Sequence, residues 1–319
     1  MLISWARCSE GNQTMRLVNF HSEGKVKLGA LVHNAMIDVN AAAVFLGSRG
    51  PGDISDVLNS SDGLSRTAGI ISAIQGKNGP WVLAQSGLRL APPVPPKAKI
   101  LAVALNYHDF CERGKLATPT ALKVFSKLPN TMIGAADSIE LPAGRKVTYE
   151  GELAVVIGRR GKNIPVSEAW DYIAGYSVLN DLTANDAAKE DVQLMRGKNF
   201  DTFCPIGPAL VTKDEIPDPY KLTIKTTVNG VVRQDSIVER LIFKIPEIIS
   251  YFASFLTLEP GDVIATGTPA GTALQFDPPA FLAAGDLVNV TISGLGTIAN
   301  RVVTSGKGIA RTVANPAVR

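Results

Sequence analysis

Two glutamates separated by a single residue are the first candidates for chemistry. Glu150 and Glu152 lie in the segment YEGELAVVIG, residues 149–158, where Leu, Val and Ile follow them. If this segment is a β-strand, both side chains point to one face, about 7 Å apart. Two carboxylates beside apolar side chains repel each other and lose hydration, and a bound cation offsets both costs. The segment predicts a cation site, and the alternative is an edge strand whose glutamates face water.

A third acid and a lysine extend this pattern. Asp181 ends the apolar stretch 173–181, where the chain enters the polar loop LTANDAAKED. Three carboxylates form an oxygen site of the kind that suits Mg²⁺, Mn²⁺ or Ca²⁺ rather than zinc. Lys198 follows in a stretch with Phe200 and Phe203, where a partly buried ammonium needs an anionic partner. The alternative for Lys198 is a solvated loop lysine.

Several other kinds of active site are disfavoured. The chain has no GxSxG motif of a nucleophile-elbow hydrolase, and its three histidines are far apart and share no HExxH. A G-x-G-x-x-A string at 294–299 has about 20 residues after it, too few for a dinucleotide-binding unit. The glycine-rich stretch at 158–161 lacks the Lys-Ser/Thr ending of a phosphate-binding loop.

Composition narrows the function classes. The 319 residues carry a net charge of +3, which implies no strong attraction to nucleic acid or anionic lipid. No apolar run approaches the roughly 18 residues that a membrane-spanning helix needs. Three cysteines without CxxC spacing and no apolar segment at the N-terminus favour a reduced, cytoplasmic protein. We therefore expect no nucleic-acid or membrane partner.

Strand patterns outnumber helical ones and do not alternate with them, which predicts an α+β, strand-dominated fold. A β-meander begins at Met15, and helices are predicted near 53–60 and 64–76 and within 243–258. Asn229-Gly230 is a hairpin signal of the type I′ kind. A stiff Pro-rich linker is predicted to divide the chain. The predicted domain organisation is a disordered extension (1–14), a small N-terminal domain (15–90), the linker (91–99), a catalytic domain (100–307) and a tail (308–319).

Five segments together resemble the fumarylacetoacetate hydrolase (FAH) family, in order and at similar spacing. They are YEGELAVVIG, AGYSVLND, GKNFDTFCPIGP, LEPGDVIATGTPAG and GDLVNVTISGLGTIAN, and the similarity covers roughly 98–305. The resemblance implies a mixed β-sandwich roll with a smaller N-terminal β-rich domain, a homodimer and a bound divalent cation, Mg²⁺ or alternatively Mn²⁺ or Ca²⁺. It also implies roles for individual residues: Glu150, Glu152 and Asp181 as metal ligands, Lys198 as the active-site lysine, and Tyr107, Lys198 and Thr268 as substrate contacts.

The chain departs from this family at one catalytic position. Members often carry N-Y-x-D-H-x-x-E, whose His–Glu pair activates water, but here Phe110 stands at the His position and Arg113 at the Glu position. His108 and Glu112 are four residues apart and would share one face of a helical turn. We therefore predict that His108, oriented by Glu112, is the general base, and the alternative is that the base is lost.

A second departure lies in the loop after Asp181, where members often carry a substrate-binding Arg and a Gln. This chain has Asn185, Asp186 and Ala188 in that region. The chemistry of the substrate pocket is therefore expected to differ from that of better-known members.

The resemblance implies an enzyme, a hydrolase acting on carbon–carbon bonds in ketonic substances. The main functional prediction is divalent-metal-dependent cleavage of a 2,4-dioxo acid, such as an acylpyruvate, or of a related 1,3-diketone, in aromatic or sugar-acid catabolism. The alternative is a metal-dependent decarboxylase, tautomerase or hydratase of an oxaloacetate-like or hydroxymuconate-like 2-oxo acid. A third possibility is a non-catalytic, metal-stabilised dimer.

Overall fold

The computed structural model describes residues 15–32, 35–84 and 87–305. Strands dominate these residues, and seven short helices connect or cover them. The strands are β1 (Arg16–Ser22), β2 (Lys25–Val32), β3 (Ala35–Asp38), β4 (Val82–Leu83), β5 (Leu90–Ala91), β6 (Ile100–Ala104), β7 (Lys123–Lys127), β8 (Met132–Ile133), β9 (Ile139–Leu141), β10 (Val147–Thr148), β11 (Gly151–Ile157), β12 (Ile173–Asn180), β13 (Thr183–Ala184), β14 (Cys204–Thr212), β15 (Thr223–Val228), β16 (Val231–Ile237), β17 (Val263–Ala265), β18 (Leu287–Ile292) and β19 (Gly296–Thr304). The helices are α1 (Val39–Phe45), α2 (Ile54–Leu58), α3 (Gly63–Ile74), α4 (His108–Gly114), α5 (Asn185–Asp191), α6 (Leu194–Lys198) and α7 (Ile245–Phe255).

One large mixed sheet runs through the molecule. Its order is β4-β3-β2-β1-β14-β12-β11-β17-β6-β7, with β5 paired to β1 and β8 paired to β14. Most neighbours are antiparallel, whereas β17 and β6 run parallel. The central strands β11, β12 and β14 are buried along their whole length, as their apolar sequences require.

A second sheet covers one face of the first. Its order is β16-β15-β18-β19-β9, and β10 pairs with β13 as a separate ribbon. The largest hydrophobic core contains side chains from β11 and β12 of the first sheet, from β15 and β18 of the second, and from α7. Another core lies against the other face of the large sheet and includes Ile54 and Val57 of α2. This layered, strand-rich α+β arrangement confirms the predicted fold class.

Most predicted elements are present. The meander after Met15 is β1–β3, the two predicted helices correspond to α2 and α3, and α7 occupies the predicted segment 243–258. Asn229 and Gly230 both have positive φ angles, 52° and 80°, as a type I′ turn requires. Helix α1 was not anticipated. It follows Asp38, whose side chain accepts a hydrogen bond from the Ala41 amide and so caps the helix.

The N-terminal strands are continuous with the large sheet. Leu17 of β1 pairs with Leu210 of β14, so residues before and after the Pro-rich segment share one set of hydrogen bonds. The division into domains stays a prediction. The predicted extension (1–14) and the whole predicted tail (308–319) lie outside the described residues, as do residues 33–34 and 85–86. Among the helices within the described ranges, none has the length and apolarity to cross a membrane.

Gly175 in β12 provides a test of the sheet packing that supports the site. A Cβ atom at Gly175 would lie 2.1 Å from the carbonyl oxygen of Val211 in β14. Gly175→Ala should therefore lower the free energy of unfolding by about 2–3 kcal/mol, because the two central strands must separate. Gly69→Ala in α3 is the control, since a Cβ there has open space. It should stabilise by about 0.5–1 kcal/mol. Denaturant unfolding measures both, and equal effects of the two substitutions would contradict this account.

Candidate metal centre and active site

The register of β11 and β12 brings the acidic residues together. Gly151 at the start of β11 pairs with Asn180 at the end of β12. Glu150 and Asp181, one residue beyond this pair on each strand, are therefore neighbours, and the Asp181 amide donates to the Glu150 carbonyl at 2.8 Å. The Glu150 amide in turn donates to the Asn180 side-chain oxygen at 2.9 Å. Two positions far apart in sequence are thus fixed by one antiparallel pairing.

Glu150, Glu152 and Asp181 form one cluster of carboxylates. Ligand oxygens of the three residues all lie within 4.8 Å of one another. Glu152 and Asp181 are buried, whereas the Glu150 side chain keeps 16% of its surface exposed. The structure therefore brings the three predicted metal ligands together, with Glu150 as the member nearest to solvent.

Two lysines contact this cluster. Lys198, the last residue of α6, places its Nζ 2.8 Å from Glu150 Oε2 and 2.6 Å from Asp181 Oδ2. Lys127, the last residue of β7, is fully buried, with its Nζ 2.7 Å from Asp181 Oδ1. Lys127 also donates to the carbonyl oxygens of Leu182 (3.3 Å) and Lys198 (2.5 Å). Asp181 is therefore held between two ammonium groups, and Lys127 connects the segment of Asp181, a predicted metal ligand, to that of Lys198, the predicted active-site lysine.

Burial and mutual charge set the protonation of the cluster. Burial raises the pKa of Glu152 well above its usual value, and the nearby Asp181 and Glu150 carboxylates raise it further. Burial would also raise the pKa of Asp181, but Lys127 and Lys198 outweigh it and hold that pKa below its usual value. Burial lowers the pKa of Lys198, yet Asp181 and Glu150 outweigh it and hold that pKa above its usual value. Asp181 and Lys198 are thus both charged at neutral pH.

The donor set fits a divalent cation. When all three carboxylates are ionised they face two ammonium groups, so one negative charge is in excess in a buried place, and this excess is part of what raises the pKa of Glu152. Within the described ranges no lysine or arginine forms an ion pair with Glu152, whose Oε2 accepts only the Gly267 amide at 2.8 Å. A hard cation with oxygen ligands, such as Mg²⁺, Mn²⁺ or Ca²⁺, would supply the missing positive charge.

A hydrogen-bonded frame fixes the backbone between the two glutamates. The Gln234 side-chain oxygen accepts from the Gly151 amide at 2.9 Å, and Thr268 Oγ1 donates to the Gly151 carbonyl at 2.9 Å. Gln234 Nε2 donates to Thr268 Oγ1 at 2.8 Å and closes the frame. A side chain at position 151 would meet Thr226 Oγ1 at 2.5 Å, so only glycine fits here. Thr268, predicted to contact the substrate, also holds a metal-ligand segment in place.

Tyr107 is another buried residue near Glu152. Its side chain is fully buried, and its hydroxyl has no hydrogen-bond partner among the described residues. Burial raises the pKa of Tyr107 well above its usual value, and the Glu152 and Asp109 carboxylates add to the increase. A neutral phenol beside the acidic cluster can donate one hydrogen bond to a ligand oxygen. The predicted role of Tyr107 as a substrate contact stays a prediction.

His108 and Glu112 both lie on helix α4, but their surroundings differ. His108 is exposed, and Glu112 accepts a hydrogen bond from Arg240 at 2.7 Å. In the part of the chain that the structure describes, no hydrogen bond joins His108 to Glu112. Phe110 of the same helix packs against the main core. The general-base role of His108 therefore stays a prediction, without the orienting contact that its spacing suggested.

Sequence reasoning missed two residues of this site, Lys127 and Gln234. Lys127 ends the short strand KVFSK, where period-two alternation places it on the same side as Phe125. Gln234 follows the Asn229-Gly230 turn and has Thr226 as its partner across the hairpin. A polar residue on the apolar side of a strand is the available signal in both cases, and it is weak without the fold.

The pair of Lys127 and Asp181 generates a stability prediction. Lys127→Met leaves a buried carboxylate with one cation fewer, so the free energy of unfolding should fall by about 3–5 kcal/mol near neutral pH. The low pKa of Asp181 contributes stability above the unfolded-state pKa, and that contribution is lost as pH falls through the folded-state value. The difference between wild type and variant should therefore shrink below about pH 4 in denaturant unfolding.

Lys99→Met is the matched control for this prediction. Lys99 Nζ lies 2.7 Å from Asp262 Oδ2, the same separation as in the buried pair, but 41% of the Lys99 side chain is exposed. Loss of this pair should cost less than about 1 kcal/mol. If both substitutions cost the same, burial of Lys127 is not what makes its ion pair important.

Comparison with known proteins agrees with this geometry. Residues 99–303 match the fumarylacetoacetate (FAA) hydrolase C-terminal domain. The chain is 38% identical over 297 residues to the mitochondrial oxaloacetate tautomerase fahd2 of Xenopus laevis, covering 91% of each chain. It is 41% identical over 229 residues to the oxaloacetate tautomerase YisK of Bacillus subtilis (strain 168), covering 70% of this chain and 76% of that one.

A solved structure has a similar fold. The maleylpyruvate hydrolase of Sphingobium sp. SYK-6, in complex with manganese(II) ion and pyruvate, superposes with a TM-score of 0.73 at 29% identity, covering 91% of this chain and all of that one. The family match covers well over half of the chain, and the three carboxylates predicted as metal ligands lie together in its fold. The chain belongs to the fumarylacetoacetate hydrolase family.

Proposed function

We propose that this enzyme is a divalent-metal-dependent tautomerase that interconverts the enol and keto forms of an oxaloacetate-like 2-oxo acid. Two of its relatives are named oxaloacetate tautomerases. The main prediction from sequence is carbon–carbon bond hydrolysis. The proposal adopts the alternative prediction, a metal-dependent tautomerase, in its place. The proposed cofactor is Mg²⁺ or Mn²⁺, and a structural relative has been solved with manganese. The predicted homodimer and cytoplasmic location stay predictions.

The observation that carries this proposal is the composition of helix α4. Hydrolysis requires a base that takes a proton from water, whereas tautomerisation consumes no water. The positions where family members often carry a water-activating His–Glu pair hold Phe110, which packs into the core, and Arg113, which donates to the Gln275 carbonyl at 3.1 Å. The site thus retains its carboxylates and its lysine, and α4 supplies no hydrogen-bonded His–Glu pair.

The reaction needs stabilisation of an enolate and two proton transfers, one from oxygen and one to carbon. In the enol-to-keto direction the C2 hydroxyl loses its proton, the C2=C3 double bond becomes single, and C3 gains a proton. A divalent cation held by Glu150, Glu152 and Asp181 would supply Lewis-acid stabilisation of negative charge on the carboxylate and enolate oxygens. Lys198 remains an ammonium beside Asp181 and Glu150, so it can donate a hydrogen bond to the C2 oxygen as charge develops there.

Lys198→Met tests this assignment. Because Lys198 would stabilise charge that forms in the transition state, its loss should lower kcat and kcat/KM together by roughly 10²–10³. The measurement is the rate of enol-to-keto conversion of oxaloacetate with Mg²⁺, followed by proton NMR. Lys225→Met is the control, since Lys225 pairs with Asp235 on the exposed hairpin and should leave the rate unchanged.

The same NMR assay separates the proposal from hydrolysis. Acetylpyruvate offered to the wild-type enzyme should yield little pyruvate and acetate, while oxaloacetate is tautomerised. Faster cleavage of acetylpyruvate than tautomerisation of oxaloacetate would restore the hydrolase prediction.

His108→Asn tests the predicted general base. His108 is exposed, and among the described residues Glu112 pairs with Arg240 and forms no hydrogen bond with His108, so we expect the variant to keep most of its kcat for oxaloacetate and an unchanged pH profile between pH 5 and 9. Loss of an acidic limb near the imidazole pKa, together with a large fall in kcat, would show that His108 moves into the site and acts as the base.

A further inference from the structure

Two arginines share one aromatic ring beside helix α4. The guanidinium carbon of Arg113 lies 4.6 Å from the centre of the Phe276 ring, and that of Arg233 lies 5.1 Å from the same centre. The two cations are therefore no more than about 10 Å apart. Among the described residues neither arginine forms an ion pair, and the nearby α4 carboxylates Asp109 and Glu112 pair with Arg240 instead. The repulsion between the two like charges is therefore not offset. An anion between them would remove this cost.

Buried donors at the same place lack acceptors. Arg233 Nε and the Tyr149 hydroxyl are both buried, and neither has a hydrogen-bond partner within the described ranges. The Tyr149 side chain is fully buried, and both guanidiniums are close enough to act electrostatically on its hydroxyl. Unsatisfied buried donors are rare in proteins and call for a ligand. Two cations and a phenol form a donor set suited to a carboxylate.

This group of residues is connected to the predicted metal centre through neighbouring residues in the sequence. Tyr149 directly precedes the metal ligand Glu150, and Arg233 directly precedes Gln234, which holds Gly151 and Thr268. Arg113 is anchored by its hydrogen bond to Gln275, next to Phe276. The loop from Thr268 to Phe276 therefore connects the proposed substrate contact to the arginine pair.

We propose that Arg113, Arg233 and Tyr149 bind the second carboxylate of a dicarboxylic 2-oxo acid, the one remote from the 2-oxo end at the metal centre. This inference rests on the proposed function and specifies its substrate class. Arg113 stands where family members often carry Glu, which would repel such a carboxylate. Asn185 and Ala188 lie in α5, the region where members often carry a substrate-binding Arg and Gln, so Arg113 of α4 and Arg233 of β16 would supply the positive charge that α5 lacks at these positions.

The test is calorimetric binding of two stable probes to the Mn²⁺-loaded protein. The probes 2-oxoglutarate and 2-oxopentanoate share the five-carbon chain and the 2-oxo acid end, but only the first has a second carboxylate. Wild type should bind 2-oxoglutarate at least about 10-fold more tightly, as charge-assisted hydrogen bonds predict. Arg113→Met and Arg233→Met should each remove most of this preference and change binding of 2-oxopentanoate by less than about 2-fold. Tyr149→Phe should weaken 2-oxoglutarate alone.

Arg159→Met is the matched control, because Arg159 lies 5.0 Å from the Tyr172 ring in a similar cation–π contact outside this group. It should leave the preference intact. Equal binding of both probes to wild type, or an equal loss of both in the arginine variants, would overturn the inference. Because binding is measured without turnover, an intact preference in a protein that fails to tautomerise oxaloacetate would support the carboxylate site and refute the proposed function alone.

Discussion

The ion pairs of Asp181 with Lys127 and Lys198 are the interaction on which the site depends. Both lysines lie within 2.7 Å of the Asp181 carboxylate, and all three side chains are buried or nearly so. Removing charges from water is expensive, so each group is tolerated only because the others are present. This mutual dependence fixes the ends of β7, β12 and α6 relative to one another. When its three carboxylates are ionised the cluster has one negative charge in excess, which a divalent cation would offset.

The surrounding fold serves to hold that cluster still. The pairing of β11 with β12 places Glu150 beside Asp181, and Gln234 from the second sheet reaches the backbone of Gly151. Both sheets therefore contribute to the geometry of the three carboxylates. Sites built on strands in this way are held more closely than sites built on loops. We therefore expect relatives to vary in α4 and in the segment after Asp181, which do not carry the three carboxylates.

The sequence predicted the carboxylates better than their countercharges. Glu150 and Glu152 could be found because a two-residue period places them on one face of an apolar strand, and Asp181 because it ends another. Lys127 could not be found, because its partner lies 54 positions away and only the pairing of distant strands brings the two together. For His108 and Glu112 the spacing predicted a catalytic pair, and that role stays a prediction. The two residues do lie four positions apart on one helix, but Arg240 from another segment donates a hydrogen bond to the Glu112 carboxylate.

Anomalous diffraction from a crystal grown with Mn²⁺ tests the central claim most directly. The account predicts one anomalous peak bonded to carboxylate oxygens of Glu150, Glu152 and Asp181, at the distances usual for Mn²⁺. It also predicts that Lys127 keeps its contact with Asp181 when the ion is bound. A fully occupied peak elsewhere, or an acidic cluster that stays metal-free at saturating Mn²⁺, would contradict the claim that this buried charge cluster is a metal centre.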